Sequence, residues 1–303
     1  MTGIVLKSTG SWYEVLVGTT LMQARVRGKL RLDDIKETNP VAVGDWVTIE
    51  AEGTNGVISE IQPRKNQMLR QSVKKTGHSH VLAANVDQVL LMATLKQPRT
   101  SLGFIDRFLV SAESFRIPQV LLFNKKDLLN EASLEDQNII IQLYSSLNVI
   151  THCLQAVSDD LTFVHQLLSE KVTLIAGHSG VGKSTLLNRL SSTIQQSTGK
   201  ISSFSNKGTH TTTFAEMFPL NESTFIIDTP GIKEWGLVDM APQEISDYFV
   251  EMRELRLQCK YGSKCLHLQE PKCAIIAAVE DGEIAVSRYE SYVSMVLGED
   301  NRK

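Results

Sequence analysis

A chain of 303 residues, 42% hydrophobic and 21% charged, has room for two or three domains with real cores and does not have the makeup of a disordered or fibrous protein. No apolar run approaches the ~20 residues that span a bilayer, and the start Met1-Thr-Gly-Ile-Val lacks the basic-then-apolar pattern of a secretory signal, so a cytoplasmic protein with no membrane partner is expected. A formal net charge of −3 argues neither for nor against nucleic acid; its distribution is uneven, with eleven Lys/Arg against eight Asp/Glu in residues 1–80.

Residues 1–66 read as five short β-rich segments at about 3–6, 12–17, 21–26, 45–50 and 56–61, separated by turn signals such as Thr54-Asn55-Gly56. That number of strands in that length fits a small barrel of the OB type, with another small β-barrel as the alternative. Residues 67–83 are polar and basic without periodicity and are expected to be a linker. From 84 to 238 the texture changes. Near-continuous apolar strands at 86–93, 119–123, 171–176 and 223–228 alternate with helical stretches at about 104–116, 135–147, 160–169 and 183–193. Such strands belong to a parallel sheet covered on both faces, which makes this an α/β domain. Residues 239–303 are helical in character, with helices expected at 243–257 and 287–297 on either side of a cysteine cluster.

The most specific motif is Gly177-His178-Ser179-Gly180-Val181-Gly182-Lys183-Ser184-Thr185, which satisfies G-x-x-x-x-G-K-S/T between an apolar strand and a helix. The glycines let the loop curl so that backbone N–H groups face phosphate oxygens at the positive end of the following helix. Lys183 would reach the β- and γ-phosphates, and the Ser184 hydroxyl would ligate Mg²⁺. Asn124-Lys125-Lys126-Asp127 sits at the carboxyl end of the strand 119–123 and matches N-K-x-D. The Asp127 carboxylate can accept from guanine N1–H and the exocyclic amine, two donors that adenine lacks. With adenine it would be left unpaired, and this is the source of discrimination.

Asp228-Thr229-Pro230-Gly231 follows the strand 223–228 and matches D-x-x-G. Asp228 would hold Mg²⁺, and the Gly231 amide could bond the γ-phosphate and release it after hydrolysis. Between this motif and the phosphate loop lies Gly208-Thr-His-Thr-Thr-Thr213, in which either Thr211 or Thr212 is the candidate switch threonine for Mg²⁺. Position 232 is Ile, where many small GTPases carry a water-orienting Gln. His210 is the nearest titratable group by sequence and is the candidate for positioning the attacking water, against the alternative of a solvated loop histidine. The order is permuted. Ordinary GTPases place N-K-x-D last; here it comes first, at 124, ahead of the phosphate loop at 177. Joining the usual termini and opening the chain elsewhere builds the same sheet, and it puts the D-x-x-G switch next to the C-terminal unit.

That unit holds Cys259, Cys265, His267 and Cys273, three thiolates and an imidazole within fifteen residues. In a reducing compartment such a set suits one closed, tetrahedral, structural Zn²⁺. Cys153 lies far from it and reads as a core residue.

Together these motifs resemble the RsgA (YjeQ) family of circularly permuted GTPases over essentially the whole chain. The resemblance implies an OB barrel, a permuted GTPase domain and a C-terminal zinc unit. It further implies Mg²⁺-dependent hydrolysis of GTP to GDP stimulated by the small ribosomal subunit, a role in late maturation of that subunit, and rRNA contacts through barrel and zinc unit. The basic segment Arg25-Val-Arg27-Gly-Lys29-Leu-Arg31 is the candidate phosphate-backbone contact. A monomer is expected. Two departures stand out. The family's Ser-Ala signal for the guanine is replaced by Cys153-Leu-Gln-Ala-Val-Ser158, and five residues rather than four separate Cys259 from Cys265. Two other readings remain open: a GTP-regulated RNA-binding module, and a permuted GTPase of another RNA particle.

Overall fold

The computed structural model describes residues 1–28, 40–71, 79–190, 215–229, 231–232 and 235–299. The first five strands, β1 (Thr2–Ser8), β2 (Tyr13–Val17), β3 (Thr20–Val26), β4 (Trp46–Glu52) and β5 (Asn55–Ile61), pair in the order β1-β2-β3-β5-β4. The barrel closes where β4 returns to β1, at Gly3↔Val47, and β3 runs parallel to β5, at Ala24↔Gly56. This is the OB arrangement. Alternate residues point inward, as the two-residue period of a strand demands. Val5, Tyr13, Val15, Ala24, Val47, Ile49 and Ile58 fill the interior.

The stretch expected to be a linker carries structure instead. Strands β6 (Gln67–Gln71) and β7 (Ser79–Ala84) pair antiparallel, with Leu69 opposite Val81. Met68, Leu82 and Ala83 are buried in the same core as the α/β layer, so the ribbon is packed and does not float between domains. The junction is also locked by polar groups. Asp45, fully buried, accepts from Arg64 Nε (2.7 Å) and Nη2 (2.9 Å), while the Asn66 side chain bonds both the N–H and the C=O of Val86.

The second layer is β8 (Gln88–Ala93), β9 (Gln119–Phe123), β10 (Ile150–Cys153), β11 (Val172–Gly177), β12 (Glu216–Pro219) and β13 (Phe225–Asp228), in the order β10-β9-β8-β11-β13-β12. All neighbours are parallel except β12–β13. Strand β12 also meets β1 at Lys7↔Glu216, where the side chains form an ion pair (3.0 Å), and this contact merges barrel and sheet. Helices α1 (Leu102–Glu113) and α2 (Glu131–Ser146) cover one face through Phe104, Phe108 and Tyr144. On the other face lie α3 (Thr162–Leu168) and α4 (Lys183–Leu190), through Val164, Leu168, Leu186 and Leu187. Helix α1 starts where the Ser101 hydroxyl accepts from the Phe104 N–H, and α2 starts where Asn130 does the same for Ser133. A doubly wound sheet brings the carboxyl ends of its parallel strands to one edge, where ligands bind.

The C-terminal unit departs from the single helix expected at 243–257. Two one-turn helices, Ile245–Tyr248 and Val250–Arg253, are broken by Phe249, which is extended (φ −91, ψ 106). The break buries the Phe249 ring completely, edge-on to Tyr292 at 5.6 Å. Helices α5 (Ala274–Glu280) and α6 (Val286–Val296) complete the unit. Arg288 of α6 reaches into the α/β layer, where its guanidinium pairs with Asp106 of α1 (2.6 Å) and with Glu251 (2.7 Å). Among the described residues no helix is long and apolar enough to cross a membrane.

Candidate active site

Four strand ends converge on one edge. Strand β9 delivers Asn124, which is buried and spends its amide on two other loops. Its Nδ2 donates to the Val181 carbonyl of the phosphate loop (2.8 Å), and its Oδ1 accepts from the Ala156 N–H (2.8 Å) beyond β10. One side chain therefore fastens the N-K-x-D turn, the phosphate loop and the turn after β10 together. The approach is so close that a Cβ at Gly182 (φ +105) would lie 2.2 Å from Asn124 Nδ2, so no other residue fits there. Lys125 is left-handed (φ 62) and sends Nζ across to the Gln97 carbonyl (2.6 Å). Lys126 pairs with Asp159 (2.7 Å), whose carboxylate also accepts from the Gln155 N–H (2.9 Å). Asp127 is exposed on the 3-10 turn Lys126–Leu128, free to meet a base edge.

The phosphate loop joins β11 to α4. Val181 is buried, Ser179, Gly180 and Ser184 are exposed, and Thr185 is half-buried in the first turn of α4. Lys183 is buried, and its ammonium donates to the carbonyls of Gly177 (2.8 Å) and His178 (3.2 Å) within the loop. Burial lowers its pKa, while the neighbouring Asp228 carboxylate works in the opposite direction. Asp228 ends β13. Burial pushes its carboxyl up to about 6, against the pull of Lys183, and its Oδ1 is buried without a hydrogen-bond partner. An orphaned carboxylate oxygen near the loop's Lys183 fits a cation or a cation-bound water. Thr229 anchors the next residue by donating from its N–H (3.3 Å) and hydroxyl (3.0 Å) to the Ile175 carbonyl. Gly231 then lies on the phosphate loop: a Cβ there would be 2.8 Å from Ser179 Cα. Pro230 and the whole of 208–213, including His210, Thr211 and Thr212, lie outside the described residues.

The second site is in the C-terminal unit. Cys259, Cys265, His267 and Cys273 are all buried, with ligand atoms within 4.8 Å of one another. A tetrahedron with Zn–S bonds of about 2.3 Å and a Zn–N bond of about 2.0 Å has S···S edges near 3.8 Å and S···N edges near 3.5 Å. Here Cys259 Sγ···Cys273 Sγ is 3.8 Å, and His267 Nδ1 lies 3.5 Å from Cys259 Sγ and 3.3 Å from Cys273 Sγ. Burial pushes the Cys265 thiol up and the Cys273 thiol up to about 12, a cost that metal binding would remove. The loop is held from behind. Glu270 accepts from the N–H groups of Leu266, Leu268 and Gln269, and the hydroxyls of Tyr289 and Tyr292 donate to the carbonyls of His267 and Leu266. The donor set and its edges are compatible with zinc.

Three features went unseen in the sequence. The first is how the turn Gln155–Asp159 joins this edge: the segment stands in place of the family's Ser-Ala signal with no residue assigned from sequence, and its Ala156 N–H is what bonds Asn124. The second is that Arg25 and Arg27, offered as backbone-phosphate contacts, pair on the barrel surface with Glu52 (2.7 Å) and Glu50. Both remain exposed, so their charge is partly compensated rather than hidden, and Lys29 and Arg31 lie outside the described residues. The third is that Cys153, read as core, is half-buried at the end of β10 and donates to Gln137 Oε1 (3.1 Å).

An N-K-x-D turn, a phosphate loop and a D-x-x-G segment at one sheet edge, reached by the chain in that order, define a circularly permuted P-loop GTPase. Residues 61–238 match the RsgA GTPase family model and residues 2–58 match the RsgA N-terminal domain. The chain belongs to the RsgA GTPase family. It is 46% identical over 307 residues to the small ribosomal subunit biogenesis GTPase RsgA of Bacteroides fragilis, covering 100% of this chain and 98% of that protein. Among solved structures it is similar to YjeQ from Thermotoga maritima, with a TM-score of 0.75, 34% identity and coverage of 100% and 99%. It is also similar to YloQ, described as a circularly permuted GTPase, with a TM-score of 0.72, 30% identity and coverage of 100% and 96%.

Proposed function

We propose that this GTPase hydrolyses GTP on the small ribosomal subunit during late maturation of that subunit, and that turnover triggers its release. The observation that carries the reading is the convergence of Asn124, Lys183 and Asp228 on one edge of a chain related, end to end, to proteins named for small-subunit biogenesis. In this reading Asp127 selects guanine, with Lys125 along the base. Backbone N–H groups of 177–185 and the Lys183 ammonium hold the phosphates. Ser184, Asp228 and one of Thr211 or Thr212 would hold Mg²⁺, which when bound neutralises charge on the leaving phosphates. Lys183, bonded to carbonyls of its own loop, would exchange these for phosphate oxygens. His210 positions the water, since Ile232 is buried at 1% exposure and apolar. The cysteine cluster holds one structural Zn²⁺, and the barrel and this unit contact rRNA. The site of action is the cytoplasm.

Co-sedimentation tests the partner directly. The protein should pellet with small subunits in a non-hydrolysable GTP analogue and stay in the supernatant with GDP. Equal pelleting with large subunits, or with naked rRNA alone, would redirect the reading to another particle or to a simple RNA-binding module.

A further inference from the structure

His178, the second residue of the phosphate loop, does something the loop's letters do not explain. Its ring meets two other parts of the protein. Its Nδ1 lies 2.8 Å from the Ile232 carbonyl, just past the D-x-x-G motif, and its ring packs on Phe104 of α1 with centroids 4.1 Å apart. A carbonyl only accepts, so Nδ1 carries the proton. Burial lowers the pKa of His178, and the bond to Ile232 only partly opposes this, so the neutral Nδ1–H ring is the form at neutral pH. The residue it holds is pinned a second time, because the Ile232 N–H donates to the Gly177 carbonyl (3.1 Å). Both peptide units of Ile232 are therefore fastened to the phosphate loop. Gly231, immediately before, is thereby pressed onto Ser179, where even a Cβ would meet the Ser179 backbone at 2.8 Å.

We infer that His178 is a positioning residue of the GTPase reaction: its hydrogen bond to Ile232 sets the place of the Gly231 amide relative to the γ-phosphate, and Phe104 fixes the ring that makes this bond. In an ordinary GTPase the side chain after the D-x-x-G glycine faces the reacting water. Here that side chain is buried in the core with Phe104, Phe108 and Trp235, and cannot steady the segment from the solvent side. The segment is steadied from the phosphate loop instead. Misplacement of a reacting group by about 1 Å costs on the order of 100-fold in rate, so a single bond that fixes Gly231 has a large lever.

The inference rests on assigning the phosphate loop and D-x-x-G to GTP, and the test separates the two. Asn can place an amide N–H near the position of Nδ1 but cannot replace the ring; Phe keeps the ring and loses the bond. H178N and H178F are compared with wild type in steady-state turnover saturated with GTP, in affinity for GDP and for a non-hydrolysable GTP analogue, and in thermal midpoint. Trp235, buried with its Nε1–H on Ser111 Oγ (2.8 Å) and its ring edge-on to Phe108, reports the segment's position by fluorescence when Trp12 and Trp46 are replaced by Phe. We expect H178F to lose about tenfold or more in kcat, to keep GDP affinity within about twofold, and to lose the Trp235 difference between analogue and GDP. H178N should recover most of all three. If H178F keeps wild-type kcat and the wild-type Trp235 difference, or if GDP affinity falls as much as kcat, the positioning role is wrong. Failure of the wild type to bind either nucleotide would instead remove the GTPase assignment.

Discussion

Arg288 is where the C-terminal unit is most exposed to a decisive test. Its side chain is 4% exposed, and the Asp106 carboxylate it meets is 1% exposed. Asp106 Oδ1 also accepts from the Tyr144 hydroxyl (2.6 Å), and the guanidinium bonds Glu251 twice (2.7 and 3.1 Å) while lying 4.4 Å over the Phe249 ring. Replacing Arg288 by Met keeps the stem volume and removes the charge. The buried Asp106 and the half-buried Glu251 are then left without this cation, and breaking a buried pair this way costs about 3–5 kcal/mol. The expected loss sits at the join between α1 and α6, so urea unfolding followed by hydrogen exchange of α6 amides should show α6 and α5 opening about 3–5 kcal/mol more easily. Neutralising the carboxylates as well, with D106N and E251Q in the R288M background, should recover part of it. A loss below about 1 kcal/mol in R288M, the scale of an exposed ion pair, would refute the claim that this network holds the C-terminal unit to the GTPase domain.

Asp228 gives a pH signature. Its folded value of about 6 lies above the ordinary 3.8, so between these values the folded chain keeps a proton that the unfolded chain has released. Stability without Mg²⁺ and nucleotide should fall as pH rises from about 4 through about 6 and then level off; D228N should flatten this slope and weaken Mg²⁺-dependent GTP binding, both measurable by thermal shift across pH. Asn124→Ala strands two backbone groups, the Val181 carbonyl and the Ala156 N–H, at about 1–3 kcal/mol each; GTP and GDP affinities should fall together, and a GDP affinity unchanged by calorimetry would contradict the clamp. Metal analysis should find a single Zn²⁺ per chain in the wild type and none in C273S. In that variant the 259–273 loop should lose exchange protection while GDP affinity holds.

The sequence made the three motifs at the sheet edge legible because each needs fixed residue types at fixed spacing next to a strand. It made the barrel legible because its five strands alternate. It was silent where structure depends on partners far along the chain. β6 and β7 look polar by composition, yet Met68 and Leu82 pack into the α/β core. Strands β10 and β12, four residues each, are too short to carry a period. The helix read at 243–257 breaks at Phe249 because Tyr292 and Arg288, some forty residues on, supply the pocket that buries its ring. Asn124 stands out as part of the N-K-x-D motif but not as the clamp across three loops, since Val181 and Ala156 are its neighbours only in space.

The central claim is that GTP turnover is coupled to the small ribosomal subunit, and its most direct measurement is the GTP hydrolysis rate with and without small subunits, large subunits and naked rRNA. The rate should be low for the protein alone and rise with small subunits only, and D228N should abolish the rise. Stimulation by large subunits alone, or no stimulation by any of the three, would contradict it.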